Sequence, residues 1–327
     1  MEIKKLKLVN FRNYDNLEID FNKKNTIFIG NNAQGKTNIL ESIYVLGLTK
    51  SFLNVNEKNL IKFDKEFAKI QGTILNNNIE SKLEILINEK GKKVKINNQE
   101  VKKLSNYISR LNVIIFSPDN IRLLKESPAF RRRYLNIEIS QLYGDYIRLL
   151  NEFNTILKQR NEYLKVISLK NECDNNYLDI LDSKYAQLSV DIYNYRKRFF
   201  DKINENLSIY YKISMLGPHR DDFKIELDGK DILLYGSQGQ VRCSIITFKF
   251  AEIPIFNSIL NISPILLLDD IFSELDVEKK KKLISFLPDN IQTIITTTDL
   301  NMIDTSLFKD LDVYIVNSGN VKREGND

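Results

Sequence analysis

Residue types that build disulfide frameworks and metal clusters are scarce in this sequence. Its 327 residues include two cysteines, one histidine and no tryptophan. Cys173 and Cys243 cannot form a disulfide framework, and no Cys-x-x-Cys pattern is present to hold zinc. The single histidine, His219, excludes a histidine metal cluster and any mechanism that needs more than one histidine. The chemistry must therefore use carboxylates, lysine, hydroxyls and metal-bound water, and a reducing cytoplasm is the expected compartment.

Long hydrophobic runs and a large excess of one charge are also absent. The 48 lysines and arginines stand against 43 aspartates and glutamates, for a net charge of +5. A local DNA-binding patch is permitted but not indicated. The longest apolar stretch, 245–268, is unsuited to crossing a bilayer because Lys249, Glu252, Asn257 and Asn261 interrupt it. The N-terminus lacks the apolar core of a signal peptide. We expect a soluble, cytoplasmic protein with no membrane partner.

The order of the predicted elements indicates an α/β fold. Residues 1–30 show the pattern of strands, and 67–101 show that of an antiparallel meander. About ninety residues of helical periodicity follow Pro118. Strands return beyond Tyr211, and the wholly apolar run 265–268 is typical of a buried parallel strand.

The helical insert divides one α/β domain into two halves of sequence. We place the N-terminal half at 1–118, the all-α insert at 119–212 and the C-terminal half at 213–327. No internal repeat and no coiled-coil-length heptad pattern is present.

One motif carries a specific chemical prediction. The phosphate-loop pattern G-x-x-x-x-G-K-[ST] is formed by Gly30, Asn31, Asn32, Ala33, Gln34, Gly35, Lys36 and Thr37, with Asn38 next in the helix. A strand precedes the pattern and a helical pattern follows it, which disfavours the alternative of a glycine-rich turn that binds nothing. Backbone N–H groups of such a loop surround phosphates at a helix N-terminus. Lys36 should neutralise the β and γ phosphates of ATP, and the Thr37 hydroxyl should ligate Mg²⁺.

A phosphate loop needs a carboxylate at the end of a neighbouring buried strand. The run Leu-Leu-Leu-Asp-Asp at 266–270 supplies two. We predict that Asp269 holds Mg²⁺, directly or through water, and that Asp270 polarises the attacking water. The alternative is that two acidic residues simply end a strand.

The order of the remaining motifs resembles the ABC-type ATPases. Ser-Gln-Gly-Gln at 237–240 opens a helix and is weak evidence alone, but it follows the phosphate loop and precedes the aspartate pair, Ser-Glu-Leu-Asp at 273–276 and a strand at 293–297. Within that superfamily the sequence resembles, nearly end to end, the RecF family of bacterial recombination-mediator ATPases, which are related to the heads of chromosome-maintenance proteins. Further stretches that carry this resemblance are NFRNY at 10–14, GNNAQGKTNILESIY at 30–44, FSP at 116–118, Pro128 with the arginines 131–133, LKQRN at 157–161 and GPHRDD at 217–222.

The resemblance implies an ABC-type P-loop ATPase head, with a mixed sheet and an antiparallel subdomain, interrupted by an all-α insert. It implies that Arg12 lies near the ATP phosphates. It also implies that the signature loop of one subunit completes the ATP site of another, through Ser237, Gly239 and Gln240, with Asp276 across the dimer interface. The implied activity is weak, DNA-dependent ATP hydrolysis with Mg²⁺. The implied partners are duplex and gapped DNA, a second copy of the chain and RecR, with RecO and RecA in the same pathway.

Several positions depart from the family pattern or stay open. Leu53 and Asn54 occupy a stretch where relatives usually carry an arginine, and Thr297 replaces a histidine at the end of the last strand, which suggests slow hydrolysis. His219 is either a nucleotide-site or interface residue, or a satisfied buried histidine. The candidate DNA contacts are Arg131, Arg132 and Arg133, with the lysine clusters at 92–95 and 279–282, although such charge runs are more often solvated faces.

Three other functions fit parts of the pattern. A transporter ATPase subunit is disfavoured by the compact insert and by LKQRN and GPHRDD. A chromosome-organising head needs coiled arms longer than the insert allows. A small-molecule P-loop kinase leaves the motifs at 237–240 and 273–276 without a role.

Overall fold

The computed structural model describes residues 1–170, 174–205, 209–214, 218–275 and 277–324. The strands are β1 (Glu2–Phe11), β2 (Tyr14–Asp20), β3 (Asn25–Ile29), β4 (Phe67–Asn76), β5 (Ile79–Asn88), β6 (Gly91–Ile96), β7 (Gln99–Glu100), β8 (Val113–Phe116), β9 (Ile209–Ser214), β10 (Asp222–Leu227), β11 (Lys230–Asp231), β12 (Ile265–Asp269), β13 (Thr293–Thr297), β14 (Leu311–Asn317) and β15 (Asn320–Arg323). The α-helices are α1 (Lys36–Leu48), α2 (Arg122–Lys125), α3 (Pro128–Leu142), α4 (Gly144–Lys170), α5 (Asn175–Asn204), α6 (Ile232–Tyr235), α7 (Gln238–Leu260) and α8 (Val277–Ser285).

Two compact units divide the chain. The first contains Met1–Asn120 and Glu252–Asp327, and the second contains Ile121–Ala251. The second unit therefore contains the small sheet of β9, β10 and β11 and the start of α7, as well as the long helices. The three sequence segments that we assigned from motifs do not follow this division by compactness, and they stay a prediction.

An antiparallel sheet in the first unit has the strand order β2-β1-β4-β5-β6-β7. Alternate residues of β4 are buried, among them Ala68, Ile70 and Ile74, while those between them are partly exposed. This alternation leaves one face for the core and one for solvent. The meander expected at 67–101 is present as β4 to β7.

The other sheet of this unit has the order β15-β14-β3-β13-β12-β8, and its strands are parallel except for the terminal hairpin of β14 and β15. All residues of β12 and β13 are buried, as expected for parallel strands covered on both faces. Parallel strands end at one edge, so Gly30 after β3, Asp269 at the end of β12 and Thr297 at the end of β13 lie along the same edge. In α/β sheets this edge is where ligands bind.

Helix α1 contacts strands of both sheets in the first unit. It is buried on nearly all sides, including Ile39, Leu40, Ile43 and Leu46. A helix that is apolar all round is stable only when it is covered all round. The core therefore fixes the helix that follows the phosphate loop, and with it the C-terminal end of the loop.

The second unit is organised by α3, α4 and α5 and an aromatic core. Phe248 of α7 packs against Phe199, Phe200 and Phe223, with ring centroids 6.0 to 6.5 Å away. Ion pairs are also buried among the described residues of this unit. Arg196 donates to Asp221 at 2.7 Å, and Lys249 donates to Glu138 at 3.2 Å. Removing either partner would leave an uncompensated buried charge.

Helix α7 is the one described helix long and apolar enough, by length and composition, to cross a membrane. Core helices of folded proteins meet the same criterion. Phe248, Ile253 and Phe256 of this helix are buried, and its Lys249 is fully buried against Glu138. These contacts are those of a core helix.

Two local features differ from the sequence expectation. The helix start expected at Pro118 is a 3₁₀ turn, Pro118–Ile121, and the first long helix of the insert begins at Pro128, a position that suits proline because the first helical N–H needs no partner. The hairpin of β14 and β15 was not predicted.

Candidate nucleotide site

The phosphate loop connects β3 to α1 and is closed by its own lysine. The Lys36 Nζ donates hydrogen bonds to the carbonyls of Gly30 at 2.7 Å and Asn31 at 2.8 Å. Burial lowers the pKa of Lys36, while the carboxylates Asp270 and Asp269 oppose that shift. Lys36 therefore lies among the acidic residues predicted to share its site.

The backbone of the phosphate loop is sharply curved before α1. Asn31, Asn32 and Ala33 are exposed, and Ala33 has a left-handed backbone with φ 64°. Gly35 has φ 112° at the N-cap of α1, a conformation that suits glycine. These two left-handed residues give the loop its curvature.

Two threonine hydroxyls donate hydrogen bonds to the same oxygen of Asp269. The Thr37 Oγ1 and the Thr296 Oγ1 each donate to Asp269 Oδ1 at 2.8 Å. Burial raises the pKa of Asp269, and the two hydroxyl donors partly offset this. The contact joins the loop to β12, two elements far apart in sequence.

The same pair of side chains fits Mg²⁺. A hydroxyl and a carboxylate oxygen are hard ligands of the kind this ion takes, usually alongside substrate phosphates. Among the described residues no three histidine, cysteine or acidic side chains form a metal cluster. Thr37 and Asp269 stay the predicted protein ligands of the ion, beside phosphate oxygens and water.

Asp270 has an unusual backbone and an unused acceptor. Its φ is 46°, in the left-handed region, and its N–H donates to Thr296 O at 3.2 Å and Thr296 Oγ1 at 3.0 Å. Its Oδ1 is buried and has no hydrogen-bond partner among the described residues. An acceptor of this kind can bind a polarised water.

Arg12, predicted near the phosphates, is held in an ion pair. Its Nε and Nη2 each donate to the Glu41 carboxylate at 2.7 Å, and its Nη1 donates to the carbonyl of Asn59 at 2.9 Å. Glu41 is fully buried on α1 and also accepts from Ser51 Oγ at 2.5 Å. The predicted phosphate contact of Arg12 stays a prediction.

Sequence reasoning missed the side chains that hold the loop from outside. Tyr14 donates from its hydroxyl to the carbonyl of Gly35 at 3.1 Å, and Asn38 Nδ2 donates to Asn13 Oδ1 at 2.8 Å. The NFRNY stretch contains both Asn13 and Tyr14, but nothing in its spacing indicates this contact.

The signature loop belongs to the second unit and forms a reciprocal cap. The Ser237 N–H donates to Gln240 Oε1 at 2.8 Å, and the Gln240 N–H donates to Ser237 Oγ at 3.2 Å. This is the capping-box arrangement at the start of α7. Ser237, Gly239 and Gln240 are exposed. The predicted interface residue Asp276 lies outside the described residues.

The three arginines proposed for DNA differ in their surroundings. Arg131 makes a bidentate pair with Asp222, at 2.6 and 2.9 Å, and donates to the carbonyl of Glu126 at 2.7 Å. Arg132 donates to the carbonyl of Asp221 at 3.1 Å. Arg133 is exposed. The first two are thus engaged inside the protein, and contact of the three arginines with DNA stays a prediction.

The lysine cluster at 92–95 is also partly engaged. Lys92 Nζ donates to the carbonyl of Thr49 at 2.7 Å and to Glu57 at 2.5 Å, and Lys95 lies 3.2 Å from Glu84. Lys92 thus joins β6 to the end of α1 and to Glu57, and Lys95 pairs with Glu84 of the neighbouring strand β5.

His219 packs among aromatic rings of the helical unit. Its Nδ1 lies 3.2 Å from the Tyr185 hydroxyl, and its ring stacks on Phe153 with centroids 6.2 Å apart. Burial lowers the pKa of His219, and Arg220 and Arg132 lower it further. The contacts are those of a satisfied, partly buried histidine.

Comparison with known proteins places these motifs in a family. Residues 2–321 match the model of the RecF/RecN/SMC N terminal domain. The DNA replication and repair protein RecF of Listeria monocytogenes serotype 4b is 36% identical over 369 aligned positions, which cover 99% of this chain and 100% of that protein.

The chain belongs to the RecF family. A solved structure described as the recombination mediator protein RecF-ATPrS in the RecFOR pathway superposes with a TM-score of 0.88 at 28% identity, covering 99% of this chain and 98% of that chain. An Smc head bound to the C-winged helix domain of ScpA superposes with a TM-score of 0.58 at 18% identity, covering 99% and 97%, which shows a shared fold. The predicted RecF resemblance and the predicted ATPase-head fold are both confirmed.

Proposed function

We propose that this chain is an ATP-binding recombination mediator whose DNA binding is controlled by ATP. The observation that carries the proposal is the 2.8 Å hydrogen bond from Thr37 Oγ1 to Asp269 Oδ1. It brings the hydroxyl of the phosphate loop and the carboxylate of a buried strand to one point, as nucleotide and Mg²⁺ binding require. Membership of the RecF family supports recombinational repair as the process served.

The residues at the sheet edge suit weak ATP hydrolysis. Lys36 would neutralise charge on the β and γ phosphates, and Mg²⁺ held by Thr37 and Asp269 would supply further charge neutralisation there. The free Oδ1 of Asp270 accepts a hydrogen bond from the attacking water and orients it. Thr297 at the end of β13 donates its hydroxyl to Asp299 O at 3.0 Å. Because that hydroxyl is engaged within the chain and is not an imidazole, we expect slow turnover.

The signature loop suits a phosphate held by a second copy of the chain. In the capping box, Ser237 Oγ and Gln240 Oε1 both act as acceptors. The Ser237 hydroxyl hydrogen and the Gln240 Nε2 hydrogens are then left as donors, next to the positive end of the α7 dipole. We propose that these donors bind the γ-phosphate across an ATP-dependent homodimer, with Gly239 allowing close approach and Asp276 across the interface.

The dimer would close on duplex DNA near a single-strand gap, and hydrolysis would release it. Recognition of backbone and junction shape is expected, because the sequence contains no base-reading motif. RecR is the proposed direct partner, with RecO and RecA acting in the same pathway.

The proposal is tested by fluorescence anisotropy of a labelled duplex with a single-stranded tail. Protein is titrated with ATP, with ADP and without nucleotide, at two salt concentrations. Tight, salt-sensitive binding only with ATP is the expected result. Binding that ignores the nucleotide would contradict the proposed control, and absence of binding would contradict the DNA-binding role.

Two variants separate the nucleotide site from the dimer contact. Lys36→Arg should abolish the gain in DNA affinity with ATP. Ser237→Arg should keep ATP binding to the monomer but prevent dimerisation, measured by light scattering. A Ser237→Arg protein that dimerises with ATP would contradict the proposed role of the signature loop.

A further inference from the structure

Four hydrogen bonds from two separate segments converge on Gln34 in the middle of the phosphate loop. Its carbonyl accepts from Asn13 Nδ2 at 3.1 Å and from the Gly319 N–H at 3.3 Å. Its side-chain Oε1 accepts from the Ser318 N–H at 2.5 Å and from Ser318 Oγ at 3.2 Å. Neither donor segment belongs to the phosphate-loop motif.

The first segment is the tight turn between β14 and β15. Ser318 and Gly319 both have left-handed backbones, with φ of 47° and 79°, as in a two-residue type I′ hairpin turn. Strand β14 pairs with β3, which leads directly into the loop. A Cβ on Gly30 would lie 2.2 Å from Val316 O, so the hairpin and the loop approach at backbone contact. The turn is thus held in place by the parallel sheet.

The second segment is the turn between β1 and β2 of the antiparallel sheet. Besides its bond to Gln34, Asn13 accepts from Asn38 Nδ2 at 2.8 Å, which ties the middle of the loop and the first turn of α1 to one side chain. A Cβ on Gly35 would lie 2.5 Å from Asn13 Nδ2 and 2.7 Å from the Tyr14 hydroxyl. Asn13 therefore packs directly against the backbone that must bend around a phosphate.

Fixing the loop conformation before ATP binds should favour binding. A loop that binds phosphate through its N–H groups must hold left-handed residues such as Ala33, a backbone conformation that side-chain-bearing residues disfavour. If the protein holds that shape in advance, the nucleotide does not have to meet the cost of ordering it.

We propose that Asn13 and the terminal turn Ser318–Gly319 are positioning residues for ATP, which fix the phosphate loop by holding Gln34 from two sides. The inference rests on the proposed ATP binding at this loop. Both segments contact the loop at Gln34, so we expect both to act through Gln34 on nucleotide affinity.

The test compares Asn13→Ala with Asn16→Ala, a matched control whose exposed asparagine lies on β2, outside the turn that contacts the loop. Asn13→Ala should raise the Kd and KM for ATP about tenfold, with kcat at saturating ATP within about twofold of wild type. Ser318→Ala keeps the N–H donor and should raise Kd by less than about threefold. Asn16→Ala should match wild type.

A separate measurement guards against misfolding. Thermal unfolding without nucleotide should be similar for Asn13→Ala and Asn16→Ala. If Asn13→Ala does not fold, Asn13→Ser replaces it, because the shorter hydroxyl stays polar but cannot reach the Gln34 carbonyl. Wild-type ATP affinity in a folded Asn13 variant, alongside loss of affinity in Lys36→Ala, would overturn this inference alone. A wild-type protein without ATP affinity would overturn both proposals.

Discussion

Arg12 and Glu41 form a bidentate ion pair in which both guanidinium contacts are 2.7 Å long. Glu41 is completely buried on α1, the helix that follows the phosphate loop, whereas the Arg12 side chain is 19% exposed. Arg12 itself has a left-handed backbone, with φ 53°. The arginine of the NFRNY stretch is therefore the counter-ion of a buried carboxylate, whatever further contact it makes with a nucleotide.

Removing that arginine should destabilise the fold. Arg12→Ala leaves Glu41 buried without its counter-ion, and we expect a loss of about 3 kcal/mol in the free energy of unfolding. Arg12→Ala combined with Glu41→Gln should recover part of the loss, because the neutral amide costs less to bury. Urea unfolding measures the free energy of unfolding of both variants. If Arg12→Ala has wild-type stability but no ATP affinity, its main role is at the nucleotide instead.

Asp269→Asn should stabilise the protein while abolishing ATP hydrolysis. The pKa of Asp269 is raised above its ordinary value of 3.8 by burial. The folded state thus holds the proton more tightly than the unfolded chain. The stability from this carboxyl is present below pH 3.8 and is lost as pH rises through the folded pKa. At neutral pH the buried charge is a cost, and we expect the amide to raise the free energy of unfolding by about 1 kcal/mol.

Thermal unfolding at neutral pH, beside a phosphate-release assay, checks the Asp269 prediction. The amide that replaces the carboxylate keeps an oxygen that can accept from Thr37 and Thr296, so the loop should keep its place. An Asp269→Asn protein with lower stability than wild type would contradict the assignment of burial as the dominant effect.

Arg131 and Arg133 should give opposite results on stability and DNA binding. Arg131→Ala removes the bidentate partner of Asp222, and because that carboxylate is partly exposed we expect a cost of about 1 kcal/mol of stability. Arg133→Ala should leave stability unchanged but weaken DNA binding and reduce its salt dependence by about one counterion. Fluorescence anisotropy at several salt concentrations measures the DNA binding of both variants, and urea unfolding measures their stability. Unchanged DNA binding in Arg133→Ala would remove this residue from the DNA surface.

His219 should make the protein less stable in mild acid. Its pKa lies below 6.5 because of burial, Arg220 and Arg132, with Arg160 acting in the same direction and Asp221 against it. A lowered histidine pKa gives stability that is present above pH 6.5 and lost as pH falls through the folded value. His219→Asn keeps an acceptor for Tyr185 without titrating. Between about pH 7.5 and pH 5.5 the wild type should lose roughly 0.5 kcal/mol more than this variant, since solvent screens a partly exposed group. Parallel pH profiles would contradict the prediction.

The parts of the site that follow from local sequence were predictable. The phosphate-loop spacing predicted the strand, loop and helix from β3 to α1, and the apolar run before Asp269 predicted β12. The side chains that contact these elements from distant parts of the sequence could not be predicted in this way. Ser318, Asn13 and Glu41 meet their contacts only after distant strands pair in register, and that register depends on packing of the whole sheet. The turn dipeptide Ser318–Gly319 between alternating strands was the one available signal for the hairpin.

Thr296 links Asp269, the last residue of β12, to Asp270, which follows it. Its hydroxyl donates to Asp269, and its carbonyl and hydroxyl both accept from the Asp270 N–H. An amide with two acceptors at the end of a fully buried strand exchanges its proton slowly, and only when the strands separate. Deuterium uptake at this single amide would therefore report how often the sheet opens at the nucleotide edge.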